Sequence, residues 1–238
     1  AIYLAWFQPR KFAIRLLPAL ALLLMFLHFA VEGYRWQMIP IYALTALLGF
    51  SALLKIRSTS DWKPLVSFLI LFLLAVSTAL PILLPVPLIP SPSGSYQVGT
   101  RVYELTDPSR KEIYSGKDEA RRFQIQIWYP AEASPTDERA PWMENADIYA
   151  PAISEYLDLP SFFLDHLALV KVPAYKKAPL APTNEGYPII LFSHGWNGFN
   201  AQNTGQALQL ASHGYVVIGV QHTYGAVMTV FEDGAIAK

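Results

Sequence analysis

Three long apolar runs crowd the first third of this chain, and they restrict its fold more than any other feature. Leu16–Val31 is apolar apart from His28, and Phe12–Ile14 extend it beyond Arg15. Met38–Leu54 adds 17 uncharged residues and Leu65–Leu84 adds 20. About 20 apolar residues, with a range near 17–25, carry a helix across hydrocarbon. Short charged loops separate the runs, which favours transmembrane helices over buried core helices. Residues 1–7 are also apolar and are followed by Gln-Pro-Arg-Lys, so they read as the end of an earlier helix that has been cut off. They lack the basic start and cleavage site of a signal peptide. The expectation is a membrane region over residues 1–84 with three transmembrane helices.

Charge is divided the same way. Residues 1–97 carry seven lysines and arginines against Glu32 and Asp61, a net of +5. Residues 98–238 carry 11 against 16 acids, a net of −5, so the overall zero is a cancellation. Arg10, Lys11 and Arg15 precede the first run; Lys55, Arg57 and Lys63 lie between the second and third. The bias of basic residues toward the cytoplasm places both segments inside. Three spans then put residue 85 onward on the extracytoplasmic side. His28 falls near the outer end of its run, where an interfacial position suits it. No basic face is dense enough for nucleic acid. The absence of cysteine excludes disulfides, a thiolate zinc site and a cysteine nucleophile. No histidine–carboxylate pattern has zinc spacing, so neither metal nor cofactor is expected.

Five prolines between Pro81 and Gly94 read as a stiff, extended spacer in which a helix cannot continue. The linker is placed at 85–96. After it the apolar period changes to two. Gln97–Thr106 alternates, as does Arg122–Tyr129, with Phe123, Ile125, Ile127 and Tyr129 on one face. The pair reads as an antiparallel hairpin. Residues 131–186 read as an irregular, proline-rich insertion with helices near Ala146–Leu157 and Ser161–Leu169. It either shapes a substrate rim or covers a sheet edge. Tyr187–Ser193 has the short apolar signature of a strand buried on both faces. Thr204–His213 reads as a helix capped by Gly214 in the left-handed conformation. Tyr215–Val220 is a second strand, completing a parallel right-handed crossover. Met228–Ile236 contains Asp233-Gly234, a two-residue hairpin turn.

The chemistry concentrates in Pro188-Ile-Ile-Leu-Phe-Ser-His-Gly-Trp-Asn-Gly198. In an α/β-hydrolase, a strand ending in His-Gly-x-x-Gly supplies half of an oxyanion hole. The glycines let the backbone curl and aim amide N–H groups into a cleft. Each such donor stabilises a tetrahedral acyl-transfer oxyanion by about 3–4 kcal/mol. The partner motif, Gly-x-Ser-x-Gly, does not occur in the 238 residues. Ser193 is a poor candidate nucleophile, because no elbow surrounds it. His194 reads as a loop holder, His213 as a cation at a helix C-terminus, and His222 as a cleft wall.

With Ile127-Trp-Tyr-Pro130, Phe192-Ser-His-Gly-Trp-Asn-Gly198, Leu210-Ala-Ser-His-Gly-Tyr-Val-Val217 and Gln221-His222 in this order, residues 97–238 resemble the platelet-activating-factor acetylhydrolase family (plasma and intracellular type II). The resemblance implies the N-terminal part of an α/β-hydrolase domain, with a mostly parallel mixed sheet and an N-terminal antiparallel hairpin. It implies a metal-independent carboxylic ester hydrolase with a Ser-His-Asp triad, acting on short-chain or phospholipid acyl esters. Only the first oxyanion donor can be placed, on the backbone N–H of Trp196. Gly195, Asn197, Gly198 and His222 are the candidate substrate-binding residues; the triad is expected in sequence beyond this fragment, which would then be inactive alone. Two departures stand out: the multi-span N-terminus, and Gln221 where the animal proteins usually carry Glu. The partners expected are a lipid bilayer and an ester or phospholipid substrate. The competing class is a non-catalytic membrane protein that keeps the hydrolase shell as a binding module.

Overall fold

The computed structural model describes residues 12–54, 63–134 and 136–238, in two compact units, 1–86 and 87–238. The first unit is helical: α1 (Phe12–Val31), a 3-10 turn (Trp36–Met38), α2 (Ile39–Leu53) and α3 (Lys63–Leu83). Leu-rich sequence with at most one charged residue favours helix in each case. α1 packs on α2 and α2 on α3, burying Leu22, Leu44 and Ile70. Most other large apolar side chains face outward, with Phe26 62%, Leu47 68% and Phe68 63% exposed.

Pro64–Leu83 is long and apolar enough to cross a membrane; the apolar stretches Leu16–Val31 and Trp36–Ser51 are shorter. The second run is not one continuous helix, since its start is taken by the 3-10 turn. α3 also runs through Pro81 and stops at Leu83, two residues before Pro85. A proline stops a helix through its clash with the preceding turn and its missing N–H; the cluster from Pro85 onward, not Pro81, does this here. The stretch 1–7 and the basic residues Arg10, Lys11, Lys55 and Arg57, on which the orientation rests, lie outside the described residues.

The second unit is built on a six-stranded mixed sheet of order β3-β4-β1-β2-β6-β5. Its strands are β1 (Gln97–Lys111), β2 (Ala120–Ala131), β3 (Arg139–Pro141), β4 (Lys171–Lys176), β5 (Ile189–Ser193) and β6 (Val216–Gln221). β1–β2 is the expected antiparallel hairpin, and β5–β6 is parallel, joined by α5 (Thr204–Ser212). α5 ends as expected: Gly214 sits at φ 94°. The N–H groups of Gly214 and Tyr215 reach back to the Ala211 and Leu210 carbonyls, closing the helix as a Schellman motif.

Three expectations need correction, and the structure settles one point that the alternation left open. The insertion is not wholly irregular: besides α4 (Ala146–Tyr156) and a 3-10 helix at Ser161–Leu169, it contributes β3 and β4 to the sheet edge. β5 is not covered on both faces. Among the described residues it pairs only with β6, and in this chain Ile189 is 64% and Leu191 72% exposed. On the opposite face Ile190 packs against the main core. On β2 the better-buried face is the one with Gln124, Gln126 and Trp128. It becomes so because its amides are satisfied: Gln124 Nε2 donates to the Val230 carbonyl at 2.7 Å and Gln126 Nε2 to Thr100 Oγ1 at 3.3 Å. Lastly, the hairpin of β7 (Thr229–Val230) and β8 (Ile236–Ala237) turns through three residues. Phe231 N–H pairs with the Ala235 carbonyl, and Gly234 takes φ 82° in the bulge position.

The main core joins this glutamine-bearing face to α5 and the insertion: Val98, Trp128, Leu208, Met228 and Val172 are at most 3% exposed. That packing fixes where β5 and β6 end, and therefore where the loop after Ser193 begins.

Candidate functional site

β5 and β6 are parallel and end together, Ser193 beside Val220. The residues that follow, His194–Asn200 and His222, meet at this edge. The loop turns sharply: Gly198 N–H donates to the Gly195 carbonyl at 2.9 Å, and Asn197 N–H to the Gly225 carbonyl at 2.9 Å. The left-handed residue of the turn is Asn197, at φ 55°. Asparagine tolerates this region better than other side chains. The Trp196 N–H makes no hydrogen bond to a described residue, while its indole is 82% exposed.

Gly195 is not required by backbone strain. Its φ is not positive, and a Cβ there would meet nothing within 4 Å. Gly198 is the crowded position: a Cβ would run into the Gln202 side chain and come within 3.0 Å of the Gly195 carbonyl oxygen.

Two imidazoles stitch the ends of β5 and β6 together. His194 is 7% exposed. Its Nδ1 lies 2.7 Å from the Gly195 carbonyl oxygen and its Nε2 accepts the His222 backbone N–H at 3.1 Å. Only the neutral tautomer with its proton on Nδ1 satisfies both bonds, so His194 holds the loop. The His222 ring stands 4.9 Å from that of His194, nearly perpendicular, and its Nε2 lies 2.7 Å from Ser193 Oγ. Burial lowers the His222 pKa below its usual value, helped by the nearby Arg121 charge. A Ser–His contact suggests a nucleophile and base, yet no described carboxylate orients the His222 ring, as a triad requires. Ser193 and His222 instead tie strand end to strand end.

Gln221, noted in the sequence only as a departure from the family, has a structural role that the sequence did not reveal. It is fully buried; its Oε1 accepts the Asn200 N–H at 2.7 Å and its Nε2 donates to the Met228 carbonyl at 2.6 Å. One side chain that must both accept and donate calls for an amide, which a carboxylate cannot replace without holding a proton. The signals in the sequence were an amide at the end of an apolar strand and its departure from the usual Glu.

Beside the loop, a hollow of about 540 Å³ opens on the glutamine-bearing face, lined among others by Gln124, Gln126, Tyr149, Phe199, Asn200 and Phe231. Met143, Glu144 and Asn145 of the insertion also line it, so the insertion both extends the sheet edge and walls this hollow. Burial pushes the Tyr149 phenol up to about 12. Among the described residues no group of histidines and carboxylates could hold a metal ion.

Residues 85–237 match the family described as platelet-activating factor acetylhydrolase, isoform II. The chain belongs to this family. It is 33% identical over 156 residues to the platelet-activating factor acetylhydrolase of Cavia porcellus, covering 63% of this chain and 33% of that protein. It is 30% identical over 159 residues to the Canis lupus familiaris protein of the same name, covering 63% of this chain and 32% of that one. The chain therefore spans about a third of the length of these relatives. The solved structure of a ferulic acid esterase from Streptomyces cinnamoneus superposes with a TM-score of 0.55 at 27% identity, over 64% of this chain and 41% of that one. The mixed sheet of residues 97–238 is thus an esterase-like fold.

Proposed function

We propose that this acetylhydrolase-family chain is the N-terminal part of a membrane-anchored carboxylic ester hydrolase that cleaves short-chain or phospholipid acyl esters. Residues 1–84 anchor it through three transmembrane helices, 85–96 form the linker, and 97–238 begin an α/β-hydrolase domain on the extracytoplasmic side. One observation carries the reading: the Trp196 N–H has no partner among the described residues, on a turn pinned by His194, Asn197 and Gln221 at the end of a strand. A preorganised, unpartnered donor of this kind stabilises the oxyanion of acyl transfer without reorganising during the reaction. Gly195, Asn197, Gly198 and His222 border the acyl group. The nucleophile, acid and base come from a Ser-His-Asp triad supplied by sequence outside these residues. The names of the relatives and the esterase neighbour support the same chemistry.

The test is kcat toward a short-chain ester in the protein with its whole hydrolase domain. Trp196→Phe keeps most of kcat, because the donor is backbone. Trp196→Pro removes the N–H and lowers kcat by about 10²-fold or more. A Trp196→Pro protein with native circular dichroism and near-full kcat removes this loop from the oxyanion hole.

A further inference from the structure

The hollow beside the Trp196 loop has a floor of amides with unused acceptors. Gln124 and Gln126 stand two residues apart on β2, so both side chains leave the same face of the strand. They are 8% and 4% exposed. Each commits its Nε2 within the fold, Gln124 to the Val230 carbonyl and Gln126 to Thr100 Oγ1, and the two Oε1 atoms have no hydrogen-bond partner among the described residues. The side chain of Asn200, on the wall where the loop ends, also has no partner among the described residues, because its bond to Gln221 is made by its backbone. Buried polar atoms are rarely left unpaired, so this floor calls for a ligand that donates hydrogen bonds.

Three classes of ligand do not fit. A hydrocarbon chain over this floor would strand two buried acceptors. A single ion finds no net field, since the lining carries Arg101, Lys176 and Lys177 against Glu138, Glu144 and Glu232; Lys176 and Glu138 already pair at 3.2 Å. A quaternary ammonium has no hydrogen to donate and needs free aromatic faces, and the Phe231 ring already carries the Arg122 guanidinium 4.1 Å from its centre. A sugar ring suits all three observations. Its hydroxyls donate to the glutamine oxygens, donate to and accept from the Asn200 amide, and carry no charge. Its C–H face suits Phe199, which an edge-to-face contact with Trp142 at 5.8 Å holds in the wall. The volume of about 540 Å³ is within the range of small-molecule sites.

We infer that this hollow is a saccharide site: a neutral sugar ring lies over Gln124 and Gln126, with Asn200 at its edge. Phe199 and Asn200 follow Trp196 by three and four residues, so the hollow opens where the Trp196 loop ends. The sugar is then the alcohol side of the ester, and water cleaves the bond to give the carboxylic acid and the free sugar hydroxyl. The assignment to the alcohol side rests on the ester-hydrolase reading; the binding of the sugar does not.

Binding is measured first, on the 238-residue chain in a sugar-free detergent, by saturation-transfer NMR with the methyl glycosides of glucose, galactose and xylose. Methoxycyclohexane, a ring without the hydroxyls, is the control, and phosphocholine represents a charged head group. Transfer to at least one glycoside is expected, above that to either of these. Gln126→Leu keeps the volume and removes the acceptor, and Asn200→Ala removes the amide at the edge. Each variant with a native circular dichroism spectrum is expected to bind that glycoside about tenfold more weakly. In the protein with its whole hydrolase domain, Gln126→Leu is expected to lower the preference for the acetylated glycoside over p-nitrophenyl acetate, as the ratio of kcat/KM values, by about the same factor. Glycoside signals no stronger than those of methoxycyclohexane or phosphocholine, or binding unchanged in both folded variants, overturn the saccharide site: water then fills the hollow. Glycoside binding lost in the variants, with no turnover of either ester, upholds the site and removes the hydrolase reading.

Discussion

Asn197, rather than either glycine of the motif, takes the left-handed position of the loop, and this redistributes what each residue is needed for. Gly198→Ala is expected to push the turn against Gln202 and lower kcat and stability together. Gly195→Ala, with open space around its Cβ, should leave thermal stability within about 0.5 kcal/mol of the parent. Thermal unfolding of the two variants side by side decides this; equal losses would return the requirement to Gly195. His222 supplies a pH dependence. Its native pKa lies below the usual 6.5 through burial, so the folded state prefers it neutral. Its contribution to stability is complete above about pH 6.5 and is lost as pH falls from there through the lowered native value, because the unfolded chain takes up the proton first. His222→Gln should flatten the decline in melting temperature between about pH 7 and 5; an unchanged slope assigns that decline to other groups. At this scale the motif showed which residues gather at the loop, while the pairing of Gln221 with Asn200 and Met228 joins residues whose proximity depends on the sheet.

Elements that depend on local pattern were the legible ones. The β1–β2 hairpin follows from alternation, α5 and its cap from Gly214, and the β5–α5–β6 crossover from two apolar runs around a helix. β3 and β4 were missed because they are short, carry Pro141 and Pro173, and are held as strands by pairing across the sheet edge, which no local period encodes. Burial divides leucines that look alike in sequence. Leu208 on α5 is completely buried, and Leu208→Ala should cost about 2–5 kcal/mol. Leu191 on β5 is 72% exposed, and Leu191→Ala in this chain should cost about 0.5 kcal/mol or less. Denaturant midpoints of the two variants test the assignment of faces; a comparable loss at Leu191 would mean that the outer face of β5 is covered.

For the molecule as a whole, the membrane reading makes a separate prediction from the hydrolase reading. A reporter active only outside the cytoplasm should be active when fused after Lys238 and silent when fused at Ser58; the reverse result inverts the topology, and recovery of the chain without detergent removes the anchor. The division at the proline-rich stretch was decided by the sequence alone, since period and charge both change there: uncharged runs near bilayer length must avoid water, and alternating strands must bury one face. The sequence also decided the family, through short motifs in a fixed order between Ile127 and His222. Only the tertiary structure decided which sheet face is core and that His194, His222 and Gln221 lock the loop bearing the Trp196 N–H. Those outcomes depend on hydrogen bonds and packing between residues far apart in the chain, and a local pattern carries no information about which distant group will arrive to satisfy it.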